Sequence, residues 1–500
     1  MDENANLQMP LKHDNLTNDM GKNQIEQQPK QSSKGFVFGP FNPVVMPKVG
    51  EASKNNVKRV QDWESLASFY GRQYHNQALV AAQQRSSNIS LGSSLSPSTN
   101  SSWLSSSGRF AIGFYPQGNG FAIGIWFAQI PQHTVIWNPL PDDQPYLSSN
   151  ATLLLTSDGS FILQLTQDQE IDLRDYVGSV SISWASMLDT GNFVLYDPSG
   201  EIVWQSFDRP TNTLLPGQSL LPGRELLSRV SETDHSNGRF RLKMQNDGNL
   251  VQYPTGTPET AQYAYWSTGT NKFIIGYNMT TLKLDEDGNL YLFDSKGVTI
   301  KNLSTGGTPI NRTLFYRMTI DVDGIFRVYS INSVDQKSNW SVMWESSTDK
   351  CTPKGICGLN SYCSLMDQQA ICNCIPGFDF IDESQQSLGC LQKLNAEDCG
   401  NEIMSTLEKT EWKDDQYTIL STPTEGECKE ACLADSDCEA ALFVDQSCRL
   451  QKLPLRYGIR KLSTSTLTFI KGRNCSSSTP TFPITLLNPD YPCFYVKLYI

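Results

Sequence analysis

The chain is predicted to be mainly β, with two threefold strand units in tandem followed by two small disulfide-rich modules. A short phrase, a glycine turn running into an apolar strand, recurs in the first two-thirds of the sequence. Its copies are Ser107-Gly108-Arg109-Phe110, Asp158-Gly159-Ser160-Phe161, Thr190-Gly191-Asn192-Phe193, Asp247-Gly248-Asn249-Leu250, Asp287-Gly288-Asn289-Leu290 and Asp323-Gly324-Ile325-Phe326. Short β-branched or aromatic runs follow, as in Phe193-Val194-Leu195-Tyr196, which is strand chemistry. The copies fall into two sets of three, the widest gap lying between Gly191 and Gly248. Beyond residue 350 the composition shifts, and all 13 cysteines stand there.

The fourth copy is the most informative. Gln245-Asn246-Asp247-Gly248-Asn249-Leu250-Val251-Gln252-Tyr253 reads Q-x-D-x-N-x-V-x-Y. If it is extended, alternation puts Gln245, Asp247, Asn249, Val251 and Tyr253 on one face. Amide, carboxylate and phenol groups beside one aliphatic patch suit a pyranose, whose hydroxyls each want a partner and whose C–H face wants apolar contact. The plainer reading is a turn, which Asp-Gly-Asn makes readily. The nonapeptide resembles the mannose-binding motif of the bulb-type lectins at all five defining positions. A second phrase, Trp204-Gln205-Ser206-Phe207-Asp208-Arg209-Pro210-Thr211-Asn212-Thr213-Leu214-Leu215-Pro216-Gly217, resembles W-Q-S-F-D-x-P-T-D-T-L-L-P-G of the plant G-type lectin (S-domain) receptor-like kinases, departing at Asn212. The resemblance implies two β-prism (bulb-type lectin) domains, at 86–212 and 213–340. Trp137, Trp184, Trp204, Trp266 and Trp344 are expected to fill their cores, each with a partner for its indole N–H.

In chain order, residues 1–85 are a polar leader outside the lectin pattern, expected to be mostly disordered, with one helix near Asp62 to Tyr74. No signal peptide is expected at Met1, yet Ala78-Leu79-Val80-Ala81-Ala82-Gln83 reads as the end of one. Residues 1–77 are therefore expected to replace a lost signal segment. In the first unit the sugar strips are degraded. Leu188 and Thr190 stand where Gln and Asp belong, leaving Asn192, Val194 and Tyr196, and the Gly159 copy keeps only Asp158 and Ile162. These are expected to be structural. In the second unit Asp285, Asp287, Asn289, Tyr291 and Phe293 form a weaker candidate strip. The last strip, Asp321, Asp323, Ile325, Arg327 and Tyr329, has lost the asparagine and is expected not to take a sugar.

Cys351, Cys357, Cys363, Cys372, Cys374 and Cys390 (351–390) have the C-x5-C-x5-C-x8-C-x-C-x15-C spacing of an EGF-like module. Spacing alone leaves every connectivity of six cysteines open; the resemblance implies first to third, second to fourth and fifth to sixth. No calcium-binding acidic pair precedes Cys351. Cys399, Cys428, Cys432, Cys438, Cys448 and Cys475 (399–475) resemble a PAN/apple module, implying Cys399 with Cys475, Cys428 with Cys448 and Cys432 with Cys438. Thr424 and Glu427 read as a capping box opening a short helix that carries Cys428 and Cys432 on one face. Cys493 is left over in a tail, 476–500, that matches no pattern.

A net charge of −12 without a Lys/Arg stripe argues against nucleic acid. No apolar run is long enough to span a bilayer. Four scattered histidines and no paired C-x-x-C argue against a metal site, and no cofactor is expected. The sequons at Asn88, Asn100, Asn150, Asn278, Asn302, Asn311 and Asn339 beside a cysteine-rich tail point to glycosylation and an extracellular or cell-surface location. Kinase and hydrolase motifs are missing, so no enzymatic activity is expected, and the kinase of the resembled family is absent from the sequence. The leading expectation is recognition of a mannose-type glycan or glycoprotein by a lectin receptor ectodomain, or a truncated soluble form of one. Its rival is a protein-interaction or dimerisation module that binds a peptide ligand or co-receptor, with the sugar strip vestigial.

Overall fold

The computed structural model describes residues 87–99, 101–130, 133–139, 146–174, 181–273, 279–306, 314–332, 339–392, 399–412, 416–421 and 424–475. The expected leader, the helix near Asp62 to Tyr74, the tail and Cys493 lie outside these residues.

The first unit is three four-stranded antiparallel sheets. Consecutive opening strands, Ser87–Ser90, Ser93–Leu95 and Ser102–Leu104, go one to each sheet. The remaining strands fill the sheets as three consecutive meanders, the first being Phe110–Gln117, Gly120–Phe127 and Val135–Trp137. The second unit repeats the plan with Thr213–Leu214, Ser219–Leu220 and Glu225–Arg229 as opening strands. Its last strand, Ser341–Glu345, falls past the expected boundary at 340.

All six phrase glycines have positive φ, from +70° at Gly108 to +86° at Gly191, which L side chains resist. At Gly324 a Cβ would also lie 2.6 Å from the Phe240 ring, so the turn and the core exclude alanine together. Five of the six sit in the first hairpin of a meander. Gly108 is out of phase: it joins the opening strand Ser102–Leu104 to the meander.

Each unit has an apolar axis. Phe110, Phe127, Phe161, Phe193, Trp137 and Trp204 fill the first; Phe240, Phe326, Met244, Leu250 and Leu290 fill the second. Two expectations for the tryptophans need correction. The Trp204 indole N–H is buried without a hydrogen-bond partner, and Trp184 lies outside the main core, stacked on Tyr196 at 5.0 Å. The units are joined through apolar contact: Phe315 and Ile331 of the second belong to the first unit's core, and Phe127 stacks on Phe315 at 5.9 Å.

The cysteine-rich region holds five described disulfides: 351–363, 357–372, 374–390, 428–448 and 432–438. These are the pairings the resemblance implied. Cys399 and Cys475 face each other in strand register, and their side chains lie outside the description. Thr424 caps the helix Glu425–Ala434 by accepting from the Glu427 N–H, and Cys428 and Cys432 are fully buried beneath it. The sequence divides this region into two modules, but the structure joins them. Ser361–Met366 of the first pairs in parallel with Gly458–Arg460 of the second, and Tyr362, Ile375, Trp412 and Leu455 share one core.

Candidate functional site: the strip from Gln245 to Tyr253

The nonapeptide is not one extended strand. Its first half is a turn closed by Gly248 N–H to Gln245 O at 3.0 Å and Gln245 N–H to Asn249 O at 2.9 Å; only Leu250–Pro254 is strand. Glycine at +82° relieves the turn, so the Asp-Gly-Asn turn reading holds for the first half of the segment. Leu250 turns inward to the core, and the Gln252 amide donates to Gly324 O at 2.7 Å. The alternate residues Val251 and Tyr253 take the outer face.

Of the five side chains two are in contact, Gln245 with Tyr253, and the polar members are partly spent on local partners. The Gln245 amide donates to the Tyr253 hydroxyl at 3.0 Å, and Asp247 Oδ1 accepts the Asn249 N–H at 3.0 Å. Asn249 Oδ1 accepts from Thr268 Oγ1 at 3.1 Å and from the Thr270 N–H at 3.3 Å. Among the described residues the second Asp247 oxygen, the Gln245 carbonyl, the Asn249 amide hydrogens and the Tyr253 O–H proton have no hydrogen-bond partner, the last of these beneath the surface. Burial, the largest influence on it, pushes the Tyr253 phenol up, so that proton is held at neutral pH. Val251 and Tyr253 are each only 2% exposed.

A charged frame covers them. Arg241 and Lys243 stand opposite Tyr253 and Val251 in register. Arg241 pairs with Glu225 at 3.0 Å and with Glu259 at 3.5 Å, Lys243 pairs with the same two carboxylates, and the Arg241 guanidinium lies 5.1 Å from the centre of the Tyr253 ring. Glu259 also accepts from Gln245 at 3.4 Å. The sequence reading missed this frame. The charged alternation Arg239-x-Arg241-x-Lys243 in the neighbouring strand was the available signal.

The other strips differ. In the first unit Asn192, Val194 and Tyr196 are buried, and Asn192 bonds to Gln205, Ser206 and the Phe207 N–H. In the weaker strip Asp285 accepts the Asn289 amide at 2.9 Å, while Asn289 Oδ1 takes the Gly306 N–H at 2.8 Å. Three asparagines, Asn192, Asn249 and Asn289, thus accept a backbone N–H from the segment that follows the last strand of their sheet. This role in the fold was not read from the sequence. Asp287 is exposed, and Tyr291 is half-buried beside Phe293. In the last strip Arg327 is locked to Asp321 and Asp323 at 2.5 and 2.7 Å, and Tyr329 donates to Asp321 at 2.6 Å. Among the sequons, Asn88, Asn150, Asn302 and Asn339 are exposed; Asn100, Asn278 and Asn311 lie outside the described residues. No group of His, Cys, Asp and Glu among the described residues could hold a metal ion, and no described helix is long and apolar enough to cross a membrane.

Residues 134–233 match the D-mannose binding lectin family, and residues 266–381 match the S-locus glycoprotein domain. The strip at 245–253 falls between the two. A G-type lectin S-receptor-like serine/threonine-protein kinase of Oryza sativa subsp. japonica is 34% identical over 419 residues, covering 75% of this chain and 50% of the relative. One from Arabidopsis thaliana is 30% identical over 437 residues, covering 78% of this chain and 51% of the relative. The chain spans about half the length of the curated relatives it matches. Among solved structures, a monomeric monocot mannose-binding lectin from Gastrodia elata is 26% identical over 27% of this chain and 97% of that one, with a TM-score of 0.20. The mannose-specific agglutinin of snowdrop (Galanthus nivalis) bulbs, complexed with methyl-α-D-mannoside, is 25% identical over 24% and 88%, with a TM-score of 0.18.

Proposed function

We propose that this chain, a homologue of the G-type lectin S-receptor-like kinases, is a carbohydrate-recognition ectodomain that holds a mannose-type glycan on Gln245, Asp247, Asn249, Val251 and Tyr253. The observation that carries this is the succession of Gln245, Asp247 and Asn249 on one turn with Val251 and Tyr253 alternating on the strand that leaves it, Asp247 being exposed and Gln245 bonded to the Tyr253 hydroxyl. Asp247, exposed and acceptor-only, takes two sugar hydroxyls and the Asn249 amide supplies donors; the Tyr253 O–H and the Val251 face join them once the 255–263 segment gives way. A strip this shallow binds a monosaccharide near millimolar, about −4 kcal/mol. Useful affinity then comes from multivalent glycans or clustered receptors.

The same strip gives its rival a footing. With Val251 and Tyr253 2% exposed and Glu259 against Gln245, a sugar reaches the phenol only after the 255–263 segment gives way. On that second reading the chain is a protein-interaction module for a peptide ligand or co-receptor. A glycan array with wild-type and Asp247→Ala protein separates the two. Mannose-type binding that the substitution abolishes supports the first; no saccharide binding by either protein supports the second.

A further inference from the structure

Between the two strand units lies a cleft of about 590 Å³, within the size range of small-molecule sites. One wall is the last strip, Asp321 to Tyr329; the opposite wall carries His133 and Thr134 of the first unit, and Arg229 and His235 stand between. Three arginines and three carboxylates line it, and they are unevenly paired. Arg327 is fully claimed by Asp321, Asp323 and Glu345. Among the described residues Arg229 hydrogen-bonds only to uncharged oxygens, the Val135 carbonyl and Asn212 Oδ1, the latter at 3.4 Å. Arg317 is held between the rings of Tyr329 and Trp340, 4.4 and 4.7 Å from their centres, and its guanidinium makes no hydrogen bond or ion pair with any described residue. Its Nε is buried and orphaned. Burial lowers the pKa of both arginines, Arg229 to about 10, and Arg317 adds repulsion to Arg229; both remain cations at neutral pH.

Asp321 and Glu232 attract both guanidiniums, but among the described residues no carboxylate pairs directly with either, an arrangement that a bound anion would relieve. The rings of Tyr329 and Trp340 fix the Arg317 plane, presetting its donors for the bidentate geometry of a carboxylate. The cleft lining offers Ile320 and Val322 as its aliphatic side chains, against Asn212, Thr319 and the locked Asp321, Asp323 and Arg327. That lining disfavours an acyl chain or an apolar peptide side chain and suits a ligand that is polar on every side. The geometry points to a second binding site in this cleft, one that takes an acidic saccharide by pairing a uronate carboxylate with Arg317 and Arg229. This inference does not use the mannose strip: Arg317 lies on a different sheet of the second unit, and Arg229 ends the opening strand of the strip's own sheet.

Calorimetric titration of the full chain with a short oligogalacturonate tests it. Saturable binding is expected, weakened at least roughly tenfold by Arg317→Gln, the scale of a lost charge-assisted pair. Asp247→Ala should leave it unchanged. Glu232→Gln, on the exposed rim, should strengthen it roughly twofold to fivefold by removing a like charge, and this variant decides the matter should Arg317→Gln fail to fold. The inference is overturned if the wild type shows no saturation, if Arg317→Gln and Glu232→Gln both bind as wild type does, or if a neutral oligosaccharide or inorganic sulfate binds equally well.

Discussion

Asn249 and Asp247 sit two residues apart in one motif, yet they face different demands. Asn249 Oδ1 secures the Thr270 N–H and the Thr268 hydroxyl, so Asn249→Ala should cost about 1–3 kcal/mol of stability as well as any sugar binding. Asp247 is exposed and bonds only locally, so Asp247→Ala should change stability by no more than about 0.5 kcal/mol. Chemical denaturation of the two variants beside a binding assay separates fold from recognition. Asn192→Ala should show the structural cost alone, about 1–3 kcal/mol, because its side chain is fully buried among Gln205, Ser206 and Phe207. At the same scale His235 gives a pH signature. Its ring meets the Tyr115 hydroxyl at 3.0 Å, and burial first, then the Arg229 charge, lowers its pKa to about 3. The unfolded chain therefore binds a proton the folded chain refuses between about pH 6.5 and 3. The stability due to neutral His235 is present above 6.5 and lost as pH falls through that window. Thermal melts should show this loss, reduced in His235→Gln; equal pH slopes would refute it.

At the scale of elements, the two cysteine modules stand or fall together because the strand Gly458–Arg460 threads between them. A Cβ at Gly458 would lie 2.4 Å from Ser361 O and 2.5 Å from the Trp412 indole nitrogen. Gly458→Ala should therefore cost about 1–3 kcal/mol and speed amide exchange in both modules. Protection lost in only one of them would contradict the shared sheet. The sequence could not show this pairing. Gly458-Ile459-Arg460 is too short to carry a period, and it joins a strand almost a hundred residues away only through tertiary contact. The threefold repeat, by contrast, was legible, because positive φ at the turn demands glycine and the next strand must bury Phe or Leu. Gly108 misled only on phase: the same turn chemistry serves one strand earlier. In the site, Val251 and Tyr253 could be read from alternation and the turn from Asp-Gly-Asn, whereas the covering by Arg241 and Glu259 could not. Glu259 approaches from an irregular segment that no periodicity describes.

At the scale of the molecule, the two strand units are continuous through Phe315, which is 9% exposed and completes the first unit's core from the second. Phe315→Ala should cost about 3–5 kcal/mol. It should also split a single calorimetric transition of the two units into two; one transition in both proteins would argue against a shared core. The central claim, that this architecture presents a saccharide strip centred on Asp247, is tested most directly by calorimetric titration of wild-type and Asp247→Ala protein with methyl-α-D-mannoside. The account predicts saturable binding near millimolar for the wild type and none for the variant, with both proteins melting at the same temperature. Equal titration curves for the two proteins, or no saturation by the wild type, would contradict it.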